Sequence, residues 1–301
     1  MPRDPEPPAL RLRERMPRPS FMTLTVVSAL VITPSIGLLA AELRDPNAER
    51  LRFAQEAEAA LRADLLEHGL TPVVGASAAV IALGKLGIEV LAPEAAFRLD
   101  SGKAVLRGEP ASAEQRERAL GTLAGELRRY PAEFLARARL HRLLLCSRLR
   151  EDSEAIPSLP NFHGSLLVDV DADPPYLRRL VHHEVFHFAD YADDDQLSHD
   201  PVWLGLNDRY FVYGSGGRFS RAPGVGRFSA ELPGFVSRYA TSALEEDKAE
   251  TFAMRMTAPR KFATLTAADP ILRAKAAALE AQLRKLSPSL DDRFFSAVDR
   301  Y

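Results

Sequence analysis

The sequence predicts an α+β fold in which helices predominate and a small mixed sheet lies beside one long helix. Apolar residues recur at helical spacing in several segments, two of which begin with a capping box. The apolar run Ser165–Val170 has the length of a buried strand. Two short runs, Phe97–Asp100 and Ala104–Arg107, flank Ser-Gly-Lys and indicate a hairpin. Helical and strand patterns therefore occur in the same chain.

The composition is that of an ordinary globular protein, with 46% hydrophobic and 27% charged residues. The formal net charge of −2 provides no basic field that would attract nucleic acid. Arginines are frequent between residues 137 and 150, but no aromatic residue is interleaved with them. The single cysteine, Cys146, excludes an intramolecular disulfide and a Cys-rich zinc finger. We therefore expect a globular protein without a nucleic-acid partner.

The first 41 residues predict a targeting segment rather than part of the fold. Residues 1–20 carry five arginines and six prolines, and residues 21–41 contain no charged residue. A charged start, an apolar stretch and the small residues Ala40 and Ala41 are typical of a signal peptide. The same stretch is long enough to serve as an uncleaved membrane anchor, whereas a buried core helix is a weaker alternative. We expect membrane association or export through residues 21–41, and hence an extracytoplasmic location (secreted, periplasmic or membrane-anchored).

Residues 42–129 are expected to form a helical N-terminal or accessory region, or alternatively the front of the same fold as the rest. Residues 47–67 carry apolar side chains at helical spacing, and this pattern ends before Gly69. Residues 71–91 are mostly small and apolar, and their pattern favours neither helix nor strand. The hairpin follows them.

Two helices are expected around the middle of the chain. Ser112 and Gln115 form a capping box for a helix that runs to Arg129. Pro131 is suited to the first turn of the next helix, on which we place the leucines and Cys146 as far as residue 150. Because Cys146 lies among leucines, we expect it to be a small buried hydrophobic residue.

Further helices are expected over residues 174–192, 243–256, 270–286 and 291–301. Pro174 and Pro175 open the first of them, and Ser242 with Glu245 forms a capping box for the second. Between these two helices, residues 192–235 form a long region rich in Asp, Gly and isolated aromatic residues. Loops of that length in a compact domain are usually functional or disordered. Its polar and aromatic members either line a cleft or pin the loop to the core: Trp203, Asn207 and Tyr213.

The helix predicted over residues 174–192 contains the sequence HExxH, from His183 to His187. Residues four apart share one helical face, so both imidazoles can point at a single metal ion. Glu184 is the residue after His183, about 100° round the helix from it, where its carboxylate can reach a water on the metal without ligating the metal. Chance alone would produce HExxH in roughly one chain per hundred of this length. The helical context favours a metal site over coincidence.

Zinc that is held by two histidines needs a third protein ligand. A metzincin would place a histidine six residues after His187, but that position is Asp193, which excludes the class. Glutamates on the helix predicted over residues 243–256 offer the alternative. The residues alone leave three candidates open: Glu245, Glu246 and Glu250.

One arrangement on this helix resembles a known family. A tyrosine stands seven residues before a glutamate that begins the pattern Glu-x-x-Ala-Glu-x-Phe, at Tyr239, Glu246, Ala249, Glu250 and Phe252. This arrangement, together with HExxH, is similar to the lethal-factor and Pro-Pro-endopeptidase type of zinc metallopeptidase, a gluzincin with a zincin-like fold. Bacterial chains known only as zinc-binding metallopeptidases share it. The resemblance extends over residues 130–258 as an arrangement of elements, but its specific motifs occupy a small part of that range.

The resemblance implies a role for each matching residue. One Zn²⁺ ion would be held by His183, His187 and Glu246. The hydroxyl of Tyr239 would assist at the substrate carbonyl, and Glu250 would support the site from outside the ligand set. The resemblance adds no expectation for residues 42–129.

Residues near the motif have expected roles that rest on position alone. Asp190 follows His187 by three residues, so it could accept the N–H of that imidazole or could be a solvated residue at the helix end. His182 lies about 100° round the helix from His183, and we expect it to pack or to form hydrogen bonds rather than to ligate the metal.

The function that the resemblance implies is that of a zinc-dependent endopeptidase, a hydrolase acting on a peptide or protein substrate. Glu184 is the expected general base, and Tyr239 is expected to donate a hydrogen bond to the developing oxyanion. We expect the strand Ser165–Val170 to pair with an extended substrate. The zincin-like catalytic domain is placed over residues 130–301.

Two other functions stay open at this point. A non-catalytic module could keep zinc to stabilise its fold or to bind a peptide, although structural zinc sites are normally closed by four protein ligands. A membrane-tethered assembly protein would instead depend on residues 21–41. Loss of His183 would leave the function of such an assembly protein intact.

Overall fold

The computed structural model describes residues 10–11, 46–75, 77–100, 104–217 and 224–300. The strands are β1 (Leu10–Arg11), β2 (Leu70–Pro72), β3 (Glu89–Pro93), β4 (Phe97–Asp100), β5 (Val105–Glu109), β6 (Arg142–Glu151), β7 (Glu154–Ala155), β8 (Ser158–Asn161) and β9 (Ser165–Asp169). The helices are α1 (Pro46–Glu67), α2 (Ala78–Lys85), α3 (Ala113–Leu127), α4 (Ala132–Arg137), α5 (Pro174–Asp194), α6 (Pro201–Leu204), α7 (Leu244–Thr257), α8 (Pro259–Ala268), α9 (Pro270–Leu286) and α10 (Asp292–Val298).

A mixed sheet organises the fold around its longest strand, β6. The first half of β6 pairs in parallel with β3 on one side and with β9 on the other. Its second half pairs antiparallel with β5, which forms the predicted hairpin with β4. Beyond β9 lies β8, antiparallel to it, at the edge of the sheet in the described part of the chain. The α+β fold with a mixed sheet is confirmed, and the sheet has more strands than the three that the sequence indicates.

The prediction of a single helix from Pro131 to residue 150 is wrong. The helix α4 ends at Arg137, the backbone turns through Arg139 with φ of 61°, and β6 begins at Arg142. The residues from Leu143 to Cys146 are all buried, as expected for a central strand with both faces covered. A continuous apolar run does not distinguish such a strand from a buried helix. Cys146 is buried as predicted, and burial raises the pKa of its thiol.

Helix ends follow the predictions in part. The capping box of Ser112 and Gln115 is present at the start of α3. The second predicted box does not form, because the Ser242 hydroxyl donates to the carbonyl of Tyr239 and α7 begins at Leu244 without a side-chain cap. The helix α7 ends at Thr257, close to the predicted end, and Pro259 occupies the first turn of α8, a helix that the sequence analysis missed.

The main core lies between the sheet and the helices α3, α5, α7 and α9. The side chains that α5 contributes are buried, among them Val181, Val185 and Phe188. Residues on both sides of position 130 belong to this core, and β3 and β6 pair within one sheet. The described residues before and after position 130 therefore share one core and one sheet. The division of the chain at residues 129 and 130 stays a prediction.

Among the helices of the described ranges, none has both the length and the apolar character that crossing a bilayer requires. The predicted signal peptide or anchor, residues 21–41, lies outside the described residues. Membrane association and the extracytoplasmic location therefore stay predictions.

Candidate metal centre

The HExxH sequence lies in the middle of α5. The Asp173 carboxylate caps this helix by accepting a hydrogen bond from the backbone N–H of Tyr176, at 2.7 Å, and two prolines occupy its first positions. His183, Glu184 and His187 are 5–7% exposed, so their polar atoms lie at the floor of a cavity rather than in bulk water. The predicted helix thus holds the motif in a largely buried setting.

The helix α7 packs directly against α5 and brings the glutamates to the histidines. The rings of Phe186 on α5 and Phe252 on α7 lie 5.3 Å apart between centroids, within the apolar contact of the two helices. Glu246 lies in the first turn of α7, and a short 3₁₀ helix, Tyr239–Thr241, precedes that turn. This packing places two segments that are far apart in sequence at one site.

Three side-chain atoms converge at the centre of the site. Nε2 of His183 lies 3.0 Å from Nε2 of His187, and Oε2 of Glu246 lies 3.1 Å and 3.6 Å from these two nitrogens. Zinc bonds of 2.0–2.2 Å in tetrahedral geometry separate neighbouring ligand atoms by roughly 3.3 Å. Oε2 of Glu246 is buried and has no hydrogen-bond partner in the described part of the chain. The group therefore fits a metal ion.

The charges around His183 favour cation binding. Burial opposes protonation of this imidazole, but the nearby carboxylates of Glu246 and Glu250 outweigh burial and raise its pKa to about 10. For Glu246, burial opposes ionisation, whereas the two histidines hold the pKa of its carboxyl well below the ordinary value. A negative, partly dehydrated site of this kind attracts a divalent cation, and the cation would displace a proton from His183.

Glu250 lies one turn after Glu246 and contacts the outer nitrogen of His183. Its Oε1 is 3.1 Å from Nδ1 of His183, and its Oε2 accepts hydrogen bonds from Ser237 and Arg179. A carboxylate on the non-ligating nitrogen fixes the ring orientation of a metal-binding histidine. Burial opposes ionisation of Glu250, but His183 and Arg179 lower its pKa to about 2.

The hydroxyl of Tyr239 reaches the same cavity, since Tyr239, Glu184 and both histidines line one cleft. Burial, reinforced by the negative charges of Glu246, Glu184 and Glu250, raises the pKa of Tyr239 well above its ordinary value. The hydroxyl therefore stays protonated at neutral pH and can donate a hydrogen bond.

Gly217 is a residue of the site that the sequence analysis missed. It is buried, and a Cβ atom at this position would overlap Oε1 of Glu246 and the Tyr239 hydroxyl. Backbone hydrogen bonds from Gly214 to Thr241 and from Gly216 to Ser242 hold its segment against the turn before α7. The paired glycines at 216 and 217 were the signal available in the sequence, because glycine permits a close backbone approach.

Gly217→Ala is expected to weaken metal binding by about 10- to 100-fold, the range typical of changes that disturb the orientation of a metal ligand, because the new methyl group overlaps Glu246 and displaces its carboxylate. Chelator competition measures this change. Ser215→Ala is the matched control, since Ser215 is exposed in the same loop. Equal affinities for wild type and Gly217→Ala would show that the loop does not constrain the ligand.

The metal group lies in a cleft of about 640 Å³ between α5, α7 and β8. Its apolar lining includes Leu159, Phe162, Tyr176, Leu180, Leu197 and Val225. The strand predicted over Ser165–Val170 is present as β9, but β6 and β8 pair with its two sides and leave no edge for a substrate. The wall of the cleft is formed by β8 instead. The short, proline-containing sequence of β8 gave no strand signal.

Trp203, Asn207 and Tyr213 anchor the long loop to the core. Of the two roles expected for them, lining a cleft or anchoring the loop, the hydrogen bonds support the second. The indole N–H of Trp203 and the hydroxyl of Tyr213 both donate to Oδ2 of Asp247, at 2.9 Å and 2.6 Å. Asn207 donates in turn to the Tyr213 hydroxyl, and the buried ammonium of Lys275 completes the contacts of Asp247. These bonds anchor the loop to α7 beside Glu246.

Asp190 and His182 are both buried, and their hydrogen-bond partners lie outside the metal group. Asp190 accepts hydrogen bonds from Lys248 and Gln282, and no hydrogen bond joins it to His187 within the described residues. The ring nitrogens of His182 contact the Tyr130 hydroxyl and the carboxylate of Glu126. Burial lowers the pKa of His182 to about 4, so it is a neutral core residue.

Comparisons with known proteins place one structure near this chain. No family model matches the sequence, and no curated protein matches it. Among solved structures, it is similar to a "putative zinc-binding metallo-peptidase" from Bacteroides caccae, with a TM-score of 0.46 and 14% sequence identity. The match covers 84% of this chain and 95% of the other. At this identity the match assigns no role to any residue of this chain.

Proposed function

We propose that this protein is a zinc-dependent endopeptidase. The observation that carries the proposal is the convergence of His183, His187 and Glu246 at tetrahedral ligand spacing, in a cleft that also holds Glu184 and Tyr239. Three protein ligands with one open position are the arrangement of catalytic zinc, whereas structural sites are closed by four. This donor set favours chemistry over a purely structural role.

In the proposed reaction, Glu184 transfers the proton and Tyr239 donates a hydrogen bond to the substrate. Bound zinc supplies a Lewis acid and makes a water molecule far more acidic. Glu184 accepts a proton from the water that adds to the peptide carbonyl carbon, while the Tyr239 hydroxyl donates to the carbonyl oxygen as it gains negative charge. Glu184 then passes the proton to the amine as the C–N bond breaks.

The edge strand β8 is suited to bind the substrate main chain. The carbonyl of Pro157 accepts from the N–H of Asp169 at 2.9 Å, so alternate residues of β8 direct their main-chain groups away from β9. Those residues are Ser158 and Pro160. Proline lacks an N–H, which suits an edge position, and Ser158 keeps both groups available for an added strand.

Cleavage of a diverse peptide library by the purified full-length protein tests the proposal. We expect cuts by the zinc-loaded protein, no cuts after removal of the metal by a chelator, and recovery on adding zinc. The residues that flank the cuts would define the substrate class. Cutting that survives metal removal would contradict the proposal. A protein that holds zinc but cuts nothing would instead support the non-catalytic binding module.

A further inference from the structure

A serine of the edge strand is hydrogen-bonded to the proposed general base. The hydroxyl of Ser158 donates to Oε1 of Glu184 at 2.6 Å. The other carboxylate oxygen of Glu184, Oε2, is buried and has no hydrogen-bond partner in the described part of the chain. We propose that Ser158 is a positioning residue that holds Glu184 in its reactive orientation and links that orientation to substrate binding; this inference rests on the proposed endopeptidase function.

The first part of the argument concerns the carboxylate. A glutamate side chain has three rotatable bonds, and α5 fixes only its backbone. A short hydrogen bond to an ionised carboxylate is stronger than one between neutral groups. The hydrogen bond from Ser158 uses one of the lone pairs of Oε1 and restricts rotation of the carboxylate. Ser158 therefore fixes the orientation in which Glu184 faces the cavity.

The second part concerns where Ser158 lies. Its side chain reaches α5, whereas its main-chain N–H and C=O face the side of β8 on which no other described strand pairs, and where an extended peptide would pair. One residue then contacts both the proposed base and the proposed substrate backbone. A peptide that pairs with Ser158 would have its scissile carbonyl placed in a fixed relation to the Glu184 carboxylate.

Ser158→Ala and Ser158→Thr, both in the full-length zinc-loaded protein, test the inference. We expect alanine to lower kcat by about 10- to 100-fold, as loss of a hydrogen-bonded outer partner typically does, with zinc affinity unchanged. KM should change less than kcat, since alanine keeps the main-chain groups of the strand. Threonine retains a hydroxyl and should restore most of the activity. Ser153→Ala, at an exposed position outside the cleft, is the matched control.

Crystal structures of the wild type and Ser158→Ala provide a readout that needs no turnover. We expect the Glu184 carboxylate to occupy one position in the wild type and several in the alanine variant. A single unchanged position, or wild-type kcat in Ser158→Ala, would overturn the inference. A wild type that holds zinc without cutting any peptide would refute the proposed function, and the crystallographic comparison would still decide whether Ser158 positions Glu184.

Discussion

Glu184→Gln is expected to retain zinc and to lower kcat by about 10²- to 10⁴-fold, the range that a positioned general base contributes. Glutamine has nearly the same shape, and its amide oxygen can still accept the hydrogen bond from Ser158. The amide cannot take a proton from water, so only the proton transfer is removed. Steady-state kinetics on the best peptide, together with measured zinc stoichiometry, separates loss of turnover from loss of metal.

The matched control for this variant is Glu114→Gln, the same substitution at an exposed position in the first turn of α3. It should leave both kcat and zinc content unchanged. Wild-type turnover by Glu184→Gln would exclude Glu184 as the base. Loss of zinc from Glu184→Gln would show instead that this carboxylate contributes to metal binding.

Glu246→Gln is expected to weaken zinc binding by more than about 100-fold, beyond the loss typical of residues outside the ligand set, because it replaces the anionic ligand with a neutral amide. The same change at Glu250 should cost about 10- to 100-fold, since Glu250 contacts Nδ1 of His183 rather than the centre of the group. The two residues lie one turn apart on α7, so each serves as the control for the other. Chelator competition measures both dissociation constants.

The order of the two effects decides the ligand assignment. A larger loss in Glu250→Gln than in Glu246→Gln would reverse it, and equal losses would argue against a single carboxylate ligand. Thermal unfolding gives an independent check, because zinc that binds only the folded protein stabilises it by an amount that grows with the logarithm of its affinity, and a tighter site therefore raises Tm more. We expect zinc to raise Tm of the wild type more than that of Glu246→Gln.

The local parts of the site were predictable from residue order. The spacing of His183 and His187 places both imidazoles on one face of any helix, whatever surrounds it. The start of α5 was equally local, since Pro174 and Pro175 are suited to a first turn. The choice of Glu246 rested on a resemblance, and the likeness to the lethal-factor type stays a prediction.

The two strands that the sequence did not predict, β6 and β8, have one physical cause in common: each is a strand because it pairs with strands from other parts of the chain. The segment after Pro131 was assigned to a helix because apolar runs look the same in a buried helix and in a central strand. It forms β6 because neighbours on both sides, β3 and β9, satisfy its backbone groups. The edge strand β8 was missed for the converse reason: its four residues carry little strand propensity, and pairing with β9 makes them a strand.

Residue order therefore specified the chemistry that one helix can present: two imidazoles and a carboxylate at fixed angles around α5. The tertiary packing of α5, α7, β8 and the loop before α7 decided which residues from distant segments meet at the site. It placed Oε2 of Glu246 beside the imidazoles, Ser158 against Glu184, and the backbone of Gly217 against Tyr239. Spacing along a helix is set by covalent geometry, whereas these contacts exist only after burial has ordered elements that lie tens of residues apart.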